Sequence, residues 1–313
     1  MRRYLISRFI QMLPVAVVVS FLVFSATLLL PGDPAVTILG EQSTQAQRLA
    51  LRQQMGLDRS IPEQYLRWLG RMLSGDFGAS LSTQEPVAQM IRNRTPVTVE
   101  LSILSVIFGV LVGIPAGVVA AVKRNTWIDV AASLTAMTGL AIPYFWAGIL
   151  LIMVFSVHLG WLPSSGYVPF FVDPVANLKA MLLPAITLGS GLAALIMRQT
   201  RTSMLEVLSA DYIRTARAKG AREPRVVLHH GLRNALLPVI TVIGLQIGTL
   251  LGGAVVTETV FSLSGLGRMI VEGIFQRDFP SIQGAILVIV FSILVVNLLT
   301  DLSYFVLDKR ISR

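Results

Sequence analysis

Cysteine is absent from the 313 residues. That excludes a disulfide framework, a thiolate nucleophile and any metal site built on cysteine. Histidine occurs three times, twice as the adjacent pair His229-His230. Neighbours on a helix point about 100° apart, which suits two separate surface contacts better than one metal ion. Charge is scarce as well: Asp, Glu, Lys and Arg make up 14% of the chain, where a soluble domain carries about a quarter. There is no GxxxxGK[ST] run to cradle a nucleoside triphosphate, no HExxH pair to hold zinc and no GxSxG elbow to present a serine. The sequence therefore offers no catalytic constellation.

What fills the chain instead is apolar: 54% of residues are hydrophobic. Several uninterrupted runs reach about 20 residues, the length that crosses a bilayer as a helix. These runs predict an all-α, polytopic membrane protein. The net charge of +9 then reads as cytoplasmic loops rich in Lys and Arg rather than as a nucleic-acid footprint. The first apolar run has no small-residue cleavage site and is too long for a signal peptide, so it is read as a retained helix.

Six spans are expected. Residues 1–30 form a basic leader, with Arg2, Arg3 and Arg8, and a first span with a kink at Pro14; Pro31-Gly32-Asp33-Pro34 ends it. Residues 31–95 are polar and predict an outer helical region. Within it Ser60-Ile61-Pro62-Glu63 has the form of a capping box, and Gly75 closes the helix that follows. That region is either a docking surface for an external partner or a cap on the outer ends of the bundle, and the two readings are compatible. Residues 96–313 carry the other spans: 97–122, 130–157 with Pro143 inside, 181–197 with Pro184, 236–256, and 281–300 extending to about 307. Lys123-Arg124, the basic loop over 198–233 and the tail Asp308-Lys309-Arg310 fall on the same side as the N-terminus, so both termini are placed in the cytoplasm.

Two spans carry glycines four apart, Gly109, Gly113 and Gly117 in one and Gly244, Gly248 and Gly252 in the other. The spacing lines up small residues on one face, for tight helix packing or for faces that slide during gating. Polar groups at membrane depth are expensive and usually face protein or water. Gln246, Thr249 and Asn297 are accordingly candidates to line a translocation pathway, while Asp301, late in the last span, reads as a residue reaching the interface.

The stretch over 206–238 is the one long polar run between apolar segments in the C-terminal half. Its first part, 205–219, has helical spacing, with Leu205, Leu208, Tyr212 and Ala216 on one stripe and Arg214, Arg217 and Lys219 off it. Gly220 stops that helix, and the cations of its last turn suit the helix dipole. A short basic helix between two spans is placed to touch something in the cytoplasm.

The runs Asp211-Tyr212-Ile213-Arg214-Thr215-Ala216-Arg217-Ala218-Lys219-Gly220 and Leu232-Arg233-Asn234-Ala235-Leu236-Leu237-Pro238-Val239 resemble the cytoplasmic loop of bacterial ABC importer permeases. With Leu30-Pro31-Gly32-Asp33-Pro34-Ala35, Met55-Gly56-Leu57-Asp58, Gly75-Asp76-Phe77-Gly78, Gly265-Leu266-Gly267-Arg268 and Arg277-Asp278-Phe279-Pro280, the resemblance narrows to the dipeptide, oligopeptide, glutathione and nickel permease family, and within it to the first of two permease subunits. It covers the chain from end to end. It implies a type I importer core with one extra N-terminal helix, in the bacterial inner membrane. It also implies a second, homologous permease subunit, two ATP-binding subunits that carry the ATP and magnesium, and an external solute-binding protein. No cofactor is expected on this chain and no nucleic-acid partner. A coupling helix over 206–220 would enter a groove on an ATPase subunit, through small residues at Ala216, Ala218 and Gly220 and cations at Arg214, Arg217 and Lys219. The general importer pattern of Glu-Ala-Ala, three residues, then Gly is met by Arg214-Thr215-Ala216 before Gly220, so the glutamate and first alanine are missing, as in the peptide branch. The implied function is import of di- or oligopeptides by alternating access. Glutathione or nickel chelates on the same machinery, and a stand-alone secondary carrier, are the alternatives.

Overall fold

A computed structural model describes residues 2–29, 34–40 and 42–307. The breaker Pro31-Gly32-Asp33 and the tail Asp308-Lys309-Arg310 lie outside these, as does the side chain of Asp301. The described chain is mostly helical, with one isolated antiparallel bridge, Ala79 to Pro86, among the described residues. The helices are α1 (Arg2–Leu29), α2 (Pro34–Leu39), α3 (Gln45–Met55), α4 (Ile61–Leu73), α5 (Val87–Val122), α6 (Trp127–Ala141), α7 (Tyr144–Leu151), α8 (Pro174–Leu208), α9 (Asp211–Ala218), α10 (Glu223–Arg225), α11 (Arg233–Val260), α12 (Leu266–Gln276) and α13 (Phe279–Leu307). Wider π-helical turns over Ile152–His158 and Val226–Leu232 extend α7 and lead into α11.

Among the described residues four helices are long and apolar enough to cross a bilayer: Val87–Val122, Pro174–Leu208, Glu223–Val260 and Phe279–Thr300. The span expected over 130–157 is a pair, α6 and α7, bent by 105°. Pro143 causes the break: it has no N–H to continue the ladder, and it holds Ile142 extended at φ −78°, ψ 125°. Counting that pair as one span gives five, and α1 carries only a shorter apolar stretch, Ile10–Ala26. Among the described residues, length and composition support four spans, or five with the bent pair taken as one.

The chain divides into two compact units, Met1–Pro96 with Ser264–Val295, and Val97–Leu263 with Val296–Arg313. In the first unit, α1 and α4 meet through Phe21, Phe24, Tyr65 and Trp68, with ring centroids 5.3 to 6.1 Å apart. The Tyr65 and Ser20 hydroxyls share a hydrogen bond of 2.8 Å. The capping box expected at Ser60 does not form: Ser60 is the N-cap but its side chain makes no cap hydrogen bond. Glu63, its would-be partner, is engaged by Arg59 and Arg67 instead. A capping box does form at Thr44 and Gln47, opening α3.

Two of the motifs meet here. The buried carboxylate of Asp278 accepts hydrogen bonds from Ser80 Oγ at 2.5 Å, Leu81 N at 3.0 Å and Ser281 Oγ at 2.7 Å. It thereby fastens the start of α13 to the loop after Gly75-Asp76-Phe77-Gly78, and a buried carboxylate stays in place only when its oxygens are satisfied in this way. Beside it, Glu272 accepts from Arg94 at 2.8 Å and Arg268 at 2.8 Å. Burial alone would raise the Glu272 pKa, but the hydrogen bonds and charges of Arg94 and Arg268 outweigh it and hold it low.

In the second unit α8 is the core. Met181, Leu183, Leu188, Leu192 and Ile196 on it join Leu101 of α5 and Val239, Leu250 and Ala254 of α11 in one buried cluster. The glycines of α5 face it: a Cβ on Gly113 would lie 2.6 Å from the Ala193 carbonyl, and one on Gly117 would lie 2.6 Å from the Met197 carbonyl. Gly189 reciprocates from α8, its absent Cβ 2.7 Å from the Ser105 carbonyl. Gly109, Gly113 and Gly117 are therefore packing residues that let two backbones touch. Tyr167, in the loop before α8, donates to Glu100 Oε2 at 2.7 Å. Burial, with the Glu100 hydrogen bond and charge, pushes its phenol up to about 12.

Candidate functional site: the basic elbow after α8

The sequence predicts one helix across 205–219, but the chain breaks it in two. Helix α8 ends at Leu208, where Ser209 turns back to cap it, its Oγ donating to the Glu206 carbonyl at 2.8 Å. Ala210 is extended at φ −71°, ψ 150°, and α9 then restarts at Asp211. Serine competes for backbone carbonyls and so favours a helix end over an interior. Asp211 sits in the first turn of α9 and Arg217 in the last, each at the end its charge suits. Lys219 caps the helix and Gly220 follows at φ +82°, the left-handed conformation that favours glycine.

The break also redistributes the expected stripe. Leu205 and Leu208 stay on α8 and pack with Met204, Ala121, Ala235, Val227 and Leu232. Gly231 admits them closely: a Cβ there would lie 3.2 Å from Leu208 Cδ2. On α9 the buried residue is Ile213, 0% exposed, and not Tyr212 or Ala216. Sequence reasoning missed it, although it is the one branched aliphatic between Asp211 and Gly220. Tyr212 is exposed and braces α9 laterally, its hydroxyl accepting from Asn234 Nδ2 at 2.9 Å. One aliphatic anchor and one polar brace thus hold α9 against the chain that returns to the membrane.

The opposite face is open. Asp211, Arg214, Thr215, Arg217, Ala218, Lys219 and Gly220 are exposed, with Ala216 half-buried. Two of the cations already have partners: Arg214 pairs with Asp211, and Arg217 Nε donates to Glu223 Oε1 at 2.6 Å. Exposed pairs of this kind contribute only about 0–1 kcal/mol. They can be exchanged at little cost for carboxylates on another protein. Among the described residues no group of three or more His, Cys, Asp or Glu could hold a metal.

Thr249 Oγ1 lies 2.6 Å from Gln246 Oε1 and 2.7 Å from the Gln246 carbonyl, so these two form one polar patch on α11. Asn297 is exposed on α13. The second glycine row is not a single packing face: a Cβ on Gly244 would collide with Thr300, but one on Gly252 would meet nothing within 4 Å. Gly248 is half-buried. It is Gly253, absent from the row, that packs, its missing Cβ 3.0 Å from Leu188 Cδ1. From 245 to the end of α11 the exposed residues, Leu245, Thr249, Gly252, Val256 and Thr259, recur at spacings of four and three and so share one face.

Residues 113–313 match the family model of the binding-protein-dependent transport system inner membrane component, and residues 1–102 match the corresponding N-terminal membrane component model. The chain belongs to this family. It is 42% identical over 338 residues to the dipeptide transport system permease protein DppB of Escherichia coli (strain K12), with 99% of each chain covered. It is 43% identical over 311 residues to the glutathione transport system permease protein GsiC of Escherichia coli (strain K12), again with 99% of each covered. A chain of the MetNI methionine ABC transporter in an inward-facing conformation superposes with a TM-score of 0.60 at 19% identity, covering 72% of this chain and 99% of that one. That likeness shows a shared permease fold. The chain is thus a multi-pass inner-membrane transport permease.

Proposed function

We propose that this chain is one of two permease subunits of an ATP-driven importer that carries di- or oligopeptides delivered by an external binding protein. Both termini and the basic elbow lie on the cytoplasmic side in this reading, where Lys and Arg accumulate. Two ATP-binding subunits carry the ATP and magnesium. The observation that carries the reading is the two-faced geometry of α9, with Ile213 buried beneath it, Tyr212 braced beside it and a small, basic face exposed. A segment built this way can be gripped from outside and still move as one body with the spans.

The mechanism follows from that stiffness. The ATP-binding subunits grip the elbow, where Ala216, Ala218 and Gly220 allow close approach, the loosely held Arg214 and Arg217 exchange partners and Lys219 adds a third cation. Their closing and opening displaces α9, and the spans exchange inward and outward openings. Such a drive works only through contacts that differ between the two states. The exposed α11 face, with Thr249 and Gly252, is assigned to the solute path or to the second permease subunit, because hydroxyls and a bare glycine gain little from lipid.

Import of glutathione is the second reading, favoured by the likeness to GsiC, which matches the dipeptide permease in extent. The ligand carried by the binding protein decides between them. The test of the shared reading is ATP-dependent uptake by the complete complex in proteoliposomes. Gly220→Val places a branched residue at φ +82°, and Arg217→Glu sets a carboxylate against Glu223. Uptake should fall in both while membrane insertion persists; unchanged uptake in both would refute the role of the elbow.

A further inference from the structure

The Arg201 guanidinium engages Asp129 with two prongs, Nε to Oδ1 at 2.6 Å and Nη2 to Oδ2 at 2.8 Å. Two-pronged pairs fix orientation as well as distance. Asp129 is buried, with a side chain 6% exposed. Its Oδ2 also accepts the backbone N–H of Asn125 at 3.0 Å, and Asn125 is one of the few non-glycine residues at positive φ, +61°. One carboxylate therefore ties together the α5–α6 turn, the first turn of α6 and the last turns of α8.

The position of this node matters more than its strength. Arg201 lies seven residues before Leu208, where α8 gives way to the elbow, a rise of roughly 10 Å at 1.5 Å per residue. From the node, α6 runs back along α8 in the opposite sense, and a Cβ on Gly139 would lie 3.8 Å from Ala194 Cβ. At the far end of α6 the chain breaks at Pro143 into α7, where Tyr144 closes on Gly191, its hydroxyl 2.8 Å from the position of a Cβ there. Between node and bend the α6–α8 contact at Gly139 is small residue against small residue, which permits sliding. The ion pair is directional and resists it. A fully exposed pair would contribute little, whereas opening this one would strand the buried Asp129 carboxylate, so the pair stays closed as α8 moves.

We infer that the Asp129–Arg201 pair is a transmission strut, which makes α6 travel with α8 when the elbow is displaced and so delivers the movement to the bend at Pro143. Both are assigned as positioning residues, acting through α6 and α8. The inference rests on the reading of the elbow as the ATPase contact.

The absence of native cysteine allows a direct test in the complete complex. Asp129→Cys and Arg201→Cys are introduced together, and the thiols are bridged by a short bifunctional methanethiosulfonate that reductant removes. The wild-type complex, treated identically, controls for thiols elsewhere. Solute imported per ATP hydrolysed should fall roughly tenfold in the unbridged pair, within the span of measured coupling effects, while ATP hydrolysis continues. It should recover on bridging and fall again on reduction. An unchanged ratio in the unbridged pair, or no recovery on bridging, overturns the strut. If the double variant does not assemble, Arg201→Lys replaces it. Lysine keeps the charge and loses the fork, so a lowered ratio in an assembled complex supports the strut and an unchanged ratio overturns it. Absence of ATP-driven uptake by the wild-type complex would instead remove the importer reading on which the strut depends.

Discussion

Helices α8 and α11 belong to one unit and have nearly equal mean hydropathy, 2.0 and 2.1 over their most apolar windows. Yet 78% of that window is buried in the span ending at Leu208 and 28% in the span ending at Val260. Hydropathy does not order helices by burial when lipid is as apolar as leucine; small residues that admit a neighbouring backbone do. Helix α8 has Ala185, Gly189, Gly191, Ala193 and Ala194 in its middle, each buried. Helix α11 has its small residues on both sides, Gly253 inward against Leu188 and Gly252 outward against open space. The first helix uses its surface to hold this chain together. The second leaves a face for something else.

The sharpest way to break that contrast is Gly113→Leu. Its Cβ would sit 2.6 Å from the Ala193 carbonyl, and backbone cannot yield as a side chain can, so a loss at or beyond the usual ~1–3 kcal/mol of overpacking is expected. Thermal unfolding in detergent should show a large drop in midpoint or no folded protein. Next comes Ile213→Ala in the elbow. A fully buried isoleucine cut to alanine costs roughly 2–5 kcal/mol, but here the loss should be local: proteolysis within 209–222 should quicken more than global unfolding. Tyr212→Phe removes one hydrogen bond to Asn234 and should cost about 0.5–1.5 kcal/mol, again read by local proteolysis. Smallest is Gly252→Ala. With nothing within 4 Å of the added methyl, this chain alone should gain about 0.5–1 kcal/mol from the better helix former. A fall in ATP-driven uptake at unchanged or raised stability would confirm that the face is used elsewhere, whereas a destabilised single chain would break the contrast.

Much of this architecture is legible in the sequence because its causes are local. Long apolar runs give the helices and Gly220 gives the end of the elbow, whereas reading 130–157 as one span passes over the break that Pro143 imposes. On α5 the four-residue glycine spacing lies against α8, where Gly113 and Gly117 come close to the Ala193 and Met197 carbonyls. On α11 the same spacing spans different surroundings: Gly244 meets Thr300, Gly252 meets nothing within 4 Å, and Gly253, outside the row, meets Leu188. Spacing fixes which residues share a face and says nothing of what lies opposite. Ser209 ending α8 was missed because the apolar periodicity carries on through it. The placement of Ile213, the Asn234 brace and the Asp129–Arg201 pair depends on segments tens of residues apart, which no local pattern encodes.

The central claim, that α9 is held by a separate ATP-binding subunit, is tested most directly at Ala218. It is exposed on α9, and in a chain without cysteine Ala218→Cys provides a single thiol. With a short thiol-reactive photocrosslinker on that thiol in the assembled complex, the account predicts one dominant crosslink, to an ATP-binding subunit, changing in yield when nucleotide is added. A crosslink to the external binding protein, or none to any other chain, would contradict it.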